Sequence, residues 1–230
     1  MDLIHHKLPN VFISRDRGKV YSVNLVPGTA VYGEDLVKHD GQELRRWNPY
    51  RSKLAAMLLK EAADIDIKVD STVLYLGAAA GTTASHVSDI ASSGKVFCVE
   101  FSERPFRDLI ALCEKRSNMI PVLASARRPG DYKHLAEKAD IIYQDISQRD
   151  QVDIFISNVR MFLKVGGCGI LMVKSRSIDV NAQPKLIYNE VRTRLISESL
   201  GAPKMALLSP YQKDHAAFVM HFKGQPKFRA

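Results

Sequence analysis

The chain has 230 residues, 46% of them apolar and 25% charged, a balance that supports a sizeable core and excludes intrinsic disorder. The length accommodates one catalytic domain with a small appendage and leaves no room for two large units. Thirty-three basic against 25 acidic residues give a net charge of +8 and a pI near 9.4, which favours a polyanionic partner, nucleic acid first, over an acidic binding surface.

Residues 1–49 read as a small β-rich subdomain, with short runs at Asn10–Ile13, Val20–Val26 and Ala30–Gly33 separated by turn signals such as Ser14-Arg15-Asp16-Arg17-Gly18 and Pro27-Gly28. Residues 50–230 change to alternation: a helix at Tyr50–Asp64, a strand at Thr72–Leu76, a helix at Thr82–Ala91, a strand at Lys95–Val99 and a helix at Pro105–Arg116. Strands follow at Ile120–Leu123 and Asp140–Gln144, then a helix at Asp150–Leu163, a strand at Gly169–Val173 and a helix at Gln183–Ser199. Solid apolar strands between helices predict a parallel sheet covered on both faces. The last runs, Lys204–Leu208 and Ala216–Phe222, are joined by too short a link to return in parallel, so they predict an antiparallel hairpin. A doubly wound sheet ending in such a hairpin resembles the seven-stranded S-adenosylmethionine-dependent methyltransferase fold.

No apolar stretch reaches the ~18 residues of a membrane span, and the start lacks the basic and apolar blocks of a signal peptide. A cytoplasmic protein with no membrane partner is expected. Cys98, Cys113 and Cys168 are odd in number, far apart and flanked by apolar or small residues, so they predict reduced core thiols, with neither a disulfide framework nor a metal site. His5 and His6 show no ligand geometry.

Between the first strand of the alternating region and its helix lies Gly77-Ala78-Ala79-Ala80-Gly81-Thr82-Thr83, a small-residue turn that lets a ligand approach backbone. No Lys–Ser/Thr pair follows the second glycine, against a nucleoside-triphosphate loop, and Ala79 occupies the middle glycine of the dinucleotide fingerprint. A ligand with an amine and a carboxylate near the helix start remains, held by backbone N–H groups and the hydroxyls of Thr82 and Thr83. Glu100, nineteen residues beyond Gly81 at a strand end, is placed to accept from both hydroxyls of a ribose. Ser125-Ala126 and Asp145-Ile146-Ser147-Gln148 follow the next two strands, so all these candidates share the rim where open sheets bind ligands.

Five segments carry a closer likeness: Arg46-Trp47-Asn48-Pro49-Tyr50-Arg51-Ser52-Lys53-Leu54-Ala55-Ala56, Leu74 through Thr83, Tyr143-Gln144-Asp145-Ile146, Val173-Lys174-Ser175-Arg176-Ser177-Ile178-Asp179 and Pro210-Tyr211-Gln212-Lys213-Asp214-His215. Together they resemble fibrillarin, in its archaeal form without a glycine/arginine-rich tail, over about residues 10–222. The resemblance implies a guide-RNA-directed ribose 2′-O-methyltransferase of rRNA and tRNA that uses S-adenosylmethionine inside a box C/D ribonucleoprotein. The implied cofactor residues are Gly77, Gly81, Thr82, Thr83, Glu100, Phe101, Ser125, Ala126 and Asp145 through Gln148. The implied catalytic set is Lys53, Asp145 and Lys174, with Asp214 or His215 in the last place. The implied partners are the guide RNA, a Nop-domain scaffold and a kink-turn-binding protein. Ala79, Gln144 and Ser147 depart from residues common in the family.

Displacement at a sulfonium carbon needs in-line placement and help with a poorly acidic proton. A lysine is a base only if desolvated or set beside another cation, which makes Lys53 a candidate neighbour for Lys174 and Asp145 a group that orients it. Arg45, Arg46 and Arg51 around Trp47 and Tyr50 mix phosphate-binding and stacking groups. Trp47 itself reads as a core residue, and Lys213, Lys223, Lys227 and Arg229 make the C-terminal end basic. A non-catalytic RNA-binding subunit is the competing reading, opposed by the intact Lys53, Asp145, Lys174 set, while a nicotinamide-dependent reductase fails on the glycine pattern. No base-reading module is visible, so RNA selection is expected from a guide, with the N-terminal part as the expected scaffold contact.

Overall fold

A computed structural model describes residues 2–16, 18–61, 65–198 and 200–224 and divides the strands between two sheets. The N-terminal sheet is antiparallel, built from β1 (Leu3–His5), β2 (Val11–Ser14), β3 (Val20–Val23), β4 (Leu36–His39) and β5 (Gln42–Trp47) in the order β1-β2-β3-β5-β4. Two expected runs correspond to β2 and β3, the second running past the end of β3 to Val26. Ala30–Gly33 is instead a loop, because the Glu34 carboxylate accepts from the N–H groups of Val31 and Tyr32 and so takes them out of any ladder. Sequence reading missed β1, β4 and β5. The β4–β5 hairpin closes on Asp40-Gly41, both at positive φ (46° and 78°), the mirror-image turn that Asp-Gly favours.

The larger sheet contains β6 (Thr72–Leu76), β7 (Lys95–Glu100), β8 (Met119–Leu123), β9 (Ala139–Gln144), β10 (Leu163–Lys174), β11 (Lys204–Leu207) and β12 (His215–His221) in the order β11-β12-β10-β9-β6-β7-β8. Its central strands are parallel, and β12 runs antiparallel to both β10 and β11. The expected doubly wound sheet with a terminal hairpin is what the chain builds. The helices are α1 (Lys53–Leu59), α2 (Thr82–Ile90), α3 (Glu103–Cys113), α4 (Gln151–Phe162), α5 (Ser175–Ile178) and α6 (Pro184–Ser197). α1 starts later than the expected Tyr50 because Ser52 caps it, accepting from the Ala55 N–H. The expected ends Asp64 and Ser199 lie outside the described residues. No described helix is long and apolar enough to cross a membrane.

Side-chain alternation sorts the larger sheet into two faces. Val73, Tyr75, Ile141, Tyr143, Ile170, Met172, Ala217 and Val219 pack with α1 and α2, whereas Leu74, Ile142, Leu171, Val173, Ala216 and Phe218 pack with α4 and α6. Val11, Ile13, Val20 and Trp47 of the N-terminal sheet belong to the first cluster. The two sheets therefore share one core through α1 and α2.

Polar groups buried inside that junction are paired. Asp89 on α2 holds Arg45 of β5 (2.8 Å) with one oxygen and Arg116 (2.6 Å) with the other, and Arg45 also meets Glu34 at 2.6 Å. Two cations and two anions cancel, as burial of charge demands. Burial pushes the Glu34 carboxyl up, but donation from Val31, Tyr32 and Arg45 outweighs it and holds the group below the usual range. Arg45, expected at an RNA surface, is fully buried in this cluster, so it cannot reach a phosphate. Beside it Trp47 stacks on His86, with ring centroids 4.5 Å apart at 10°. Ser22 donates to Asp89 (2.6 Å), so His86 Nδ1–H donates to Ser22 (2.7 Å), and Nε2 lies 2.8 Å from the Tyr32 hydroxyl. Burial, then the charges of Arg45 and Arg116, push the His86 pKa well below 6.5. The neutral ring therefore contributes stability above that pH, and the contribution is lost as pH falls below it.

Replacing Asp89 with Asn should cost about 3–5 kcal/mol, because it takes the carboxylate partner from buried Arg116 and leaves Arg45 with Glu34 alone. Asp35→Ala, which breaks the exposed pair with Arg46, should stay within about 1 kcal/mol. Urea unfolding of the two variants checks this, and equal losses would contradict it.

Candidate functional site

Parallel strands bring the C-terminal ends of β6, β7, β8, β9 and β10 to one edge. There Gly77, at φ +80°, turns the chain out of β6, and its N–H and that of Ala78 both donate to Val99 O. A Cβ on Gly77 would lie 2.5 Å from Asp145 O, so the glycine is what lets the β6 and β9 loops touch. The next turn brings the Ala79 N–H to a Glu100 carboxylate oxygen at 2.9 Å, while the other oxygen accepts from Phe101 and Ser102. Three backbone donors thus aim a buried carboxylate at the edge.

Beside it opens a cavity of about 360 Å³. Gly77, Glu100, Phe101, Ser125, Ala126, Asp145, Ile146, Ser147 and Gln148 all line it. The lining also includes Ala79, Ser102 and Arg127, which sequence reasoning missed. Gly81, Thr82 and Thr83 lie outside this lining. A Cβ on Gly81 would sit 2.4 Å from Leu112 Cδ2, so its smallness serves the packing of α2 on α3, and Thr83 is buried, donating to Ser52 Oγ at 3.0 Å.

At the edge of the cavity, Lys53 Nζ lies 2.8 Å from Asp145 Oδ1. Lys53 is the first residue of α1, where a cation opposes the helix dipole, and the Asp145 carboxylate compensates it. Lys174 ends β10 directly opposite His215, which begins β12. Residue parity puts their side chains on the α1 face: Lys174 follows Ile170 and Met172, His215 precedes Ala217 and Val219, and Asp145 follows Tyr143. Four chain segments therefore converge on one face.

His215 is the member of the Asp214–His215 pair that joins this group. Burial lowers its pKa, and the charges of Lys53 and Lys174 lower it further against the raising effects of the Lys213 carbonyl and Asp145. Its Nδ1 lies 2.6 Å from Lys213 O, which makes Nδ1 the N–H donor and leaves Nε2 the basic nitrogen. Asp214 turns elsewhere: its carboxylate is 3.5 Å from Arg176 Nε and its carbonyl accepts from Ser175.

Gln151 was not visible as a site residue. Fully buried at the start of α4, it accepts from the Lys174 N–H at 3.3 Å and donates to Gln148 O at 2.8 Å. One amide thus ties the strand bearing Lys174 to the loop lining the cavity. Of the other expected RNA residues, Arg46 is exposed and pairs with Asp35, and exposed Arg51 lies 4.9 Å over the Tyr32 ring. Lys227 and Arg229 lie outside the described residues.

The fibrillarin family model matches residues 3–224. The chain belongs to the fibrillarin family. A fibrillarin-like rRNA/tRNA 2′-O-methyltransferase of Thermococcus onnurineus is 47% identical over 224 residues, covering 96% of this chain and 99% of that one. The crystal structure of Aeropyrum pernix fibrillarin in complex with natively bound S-adenosyl-L-methionine matches with a TM-score of 0.86 at 39% identity, over 96% of this chain and 98% of that chain. A fibrillarin chain from the crystal structure of a fibrillarin/Nop5p complex matches with a TM-score of 0.86 at 38% identity, over 95% and 100%. The fibrillarin fold is thus the fold of this chain.

Gly77→Ala should destabilise the chain by at least about 1–2 kcal/mol from the positive φ alone, and more from the approach to Asp145 O. A urea midpoint equal to that of the unchanged protein would contradict the close approach of the two loops.

Proposed function

We propose that this chain is an S-adenosylmethionine-dependent ribose 2′-O-methyltransferase, the catalytic subunit of a guide-RNA-directed box C/D particle acting on rRNA and tRNA. The observation that carries this reading is the convergence of Lys53, Asp145, Lys174 and His215 beside a cavity with the donor set for a nucleoside. Family membership supports it, as do the 2′-O-methyltransferase relative and the relative holding S-adenosylmethionine.

The residues fit that cofactor. Glu100 would take the ribose hydroxyls, Ala126, Ile146 and Phe101 would wall the adenine, and Asp145 would balance the sulfonium charge. When bound, the cofactor supplies a methyl carbon on a positive sulfur that leaves as a neutral thioether. The chain must present the 2′-hydroxyl in line with that carbon and take up its proton. His215 suits the second task, because burial lowers its pKa and Nε2 is its basic nitrogen. Lys174 then orients the hydroxyl, and Lys53 is held by Asp145. As the ribose oxygen bonds to carbon and the carbon–sulfur bond breaks, the proton passes to His215.

The fibrillarin/Nop5p complex supports a Nop-domain scaffold as one partner. A guide RNA and a kink-turn-binding protein complete the proposed particle. The +8 charge supplies sequence-independent phosphate attraction, which cannot select one ribose, so selection falls to base pairing by the guide.

The test is methyl transfer to a guide-matched RNA at near-physiological salt, with the chain alone and then with guide and both partners. The assembled particle should methylate one site and the chain alone almost none. Site-selective transfer by the chain alone would overturn the dependence on a particle, and no transfer by the particle would overturn the activity. Because the His215 pKa is lowered, the rate should hold down to pH 6.5 and fall below it as the acceptor becomes protonated. His215→Asn should lose most of the rate and that acid limb together.

A further inference from the structure

Tyr50 is the one exposed tyrosine among the described residues, with 66% of its surface open. It is nonetheless held in place. Its backbone N–H donates to Asn48 Oδ1 at 2.9 Å, and its ring meets that of Tyr211 edge-on, with centroids 5.4 Å apart at 72°. Gln212, next to Tyr211, donates to Pro49 O at 2.8 Å, so the segment before Lys53 and the segment before His215 are joined at this point. Lys53 is three residues along the chain from Tyr50, a span of at most about 11 Å between Cα atoms.

The 2′-hydroxyls of a base-paired RNA strand lie along its wide, shallow minor groove. An enzyme that reaches one of them from a guide–target duplex must face that groove, and the neighbouring riboses lie against whatever surrounds the catalytic lysine. A braced aromatic ring with a terminal hydroxyl, close to Lys53 in the chain and fringed by the exposed cations Arg46, Arg51 and Lys213, fits a ribose face, its 2′-oxygen and the adjoining phosphates. Its fixed setting removes part of the ordering cost of binding. We propose that Tyr50, braced by Tyr211, packs on the ribose next to the one being methylated and bonds its 2′-oxygen, so registering the target strand at the catalytic lysines. This rests on the RNA reading of the site given above.

The experiment uses the full chain in the assembled particle, carrying Tyr50→Leu or Tyr50→Phe. The targets have an intact acceptor ribose and a single 2′-deoxy substitution at one flanking nucleotide or the other. Tyr50→Leu should raise the KM for target RNA about 10-fold or more, with kcat and S-adenosylmethionine affinity unchanged. Tyr50→Phe, which keeps the ring and loses the hydroxyl, should raise it roughly 3- to 10-fold. One of the two deoxy targets should show the same rise with the unchanged protein and no further rise with Tyr50→Phe, the coupling expected of two ends of one bond. An unchanged KM for Tyr50→Leu, or effects that multiply at both flanking positions, would overturn the contact. Failure of the unchanged particle to methylate the all-ribose target would instead overturn the RNA reading beneath it.

Discussion

Asp89 is the residue on which the rest of the structure leans. It sits on α2, the helix that follows the glycine turn, and its two oxygens hold one arginine from the N-terminal sheet and one from the loop after α3. Two guanidinium groups without water leave little freedom: each must keep its carboxylate or the core must open. β5 is therefore fixed relative to α2, and the chain leaving β5 has only residues 48–52 in which to reach Lys53. Ser52 closes that path by capping α1 and accepting from Thr83 of α2. The position of Lys53 over Asp145 thus follows from a buried ion cluster that touches neither residue.

A second constraint operates at the strand ends. Asp145 follows β9, Lys174 ends β10 and His215 begins β12, but register and parity place all three on the face that α1 covers. Gly77 and Gln151 set how far apart the loops stand, the first through a backbone approach that no side chain could permit and the second through an amide shared between two segments. The fold supplies these groups from rigid elements, with the Asp145 carboxylate held against Lys53.

Much of this was legible in the sequence where the physics is local. Solid apolar strands alternating with helices define the larger sheet, and strand ends followed by Glu100, Ser125 and Asp145 define the cavity rim, because strand direction alone brings those positions to one edge. The N-terminal sheet was less legible: β4 and β5 carry charged residues such as Lys38, Glu43 and Arg45, and their apolar alternation is weak. Arg45 was read as a surface group because its burial depends on Glu34 and Asp89, of which the second is 44 residues away and has no local signature. Gly81 and Thr83 were assigned to the ligand; in the fold Gly81 packs against α3 and Thr83 donates to Ser52. Which of Asp214 and His215 faces α1 depends on which of them begins β12, since one residue reverses the face a side chain takes.

The most direct test of this account is a double-mutant cycle between Arg45 and Lys53, read as kcat for guide-directed methylation. Arg45→Lys keeps the buried charge but loses the fork that spans Glu34 and Asp89, and circular dichroism at the assay temperature establishes that the variant remains folded. If the ion cluster acts by placing Lys53, then Arg45→Lys slows the reaction, Lys53→Ala slows it at least as much, and the two together are no slower than Lys53→Ala alone. A folded Arg45→Lys protein with the unchanged rate, or losses that multiply in the double variant, would contradict it.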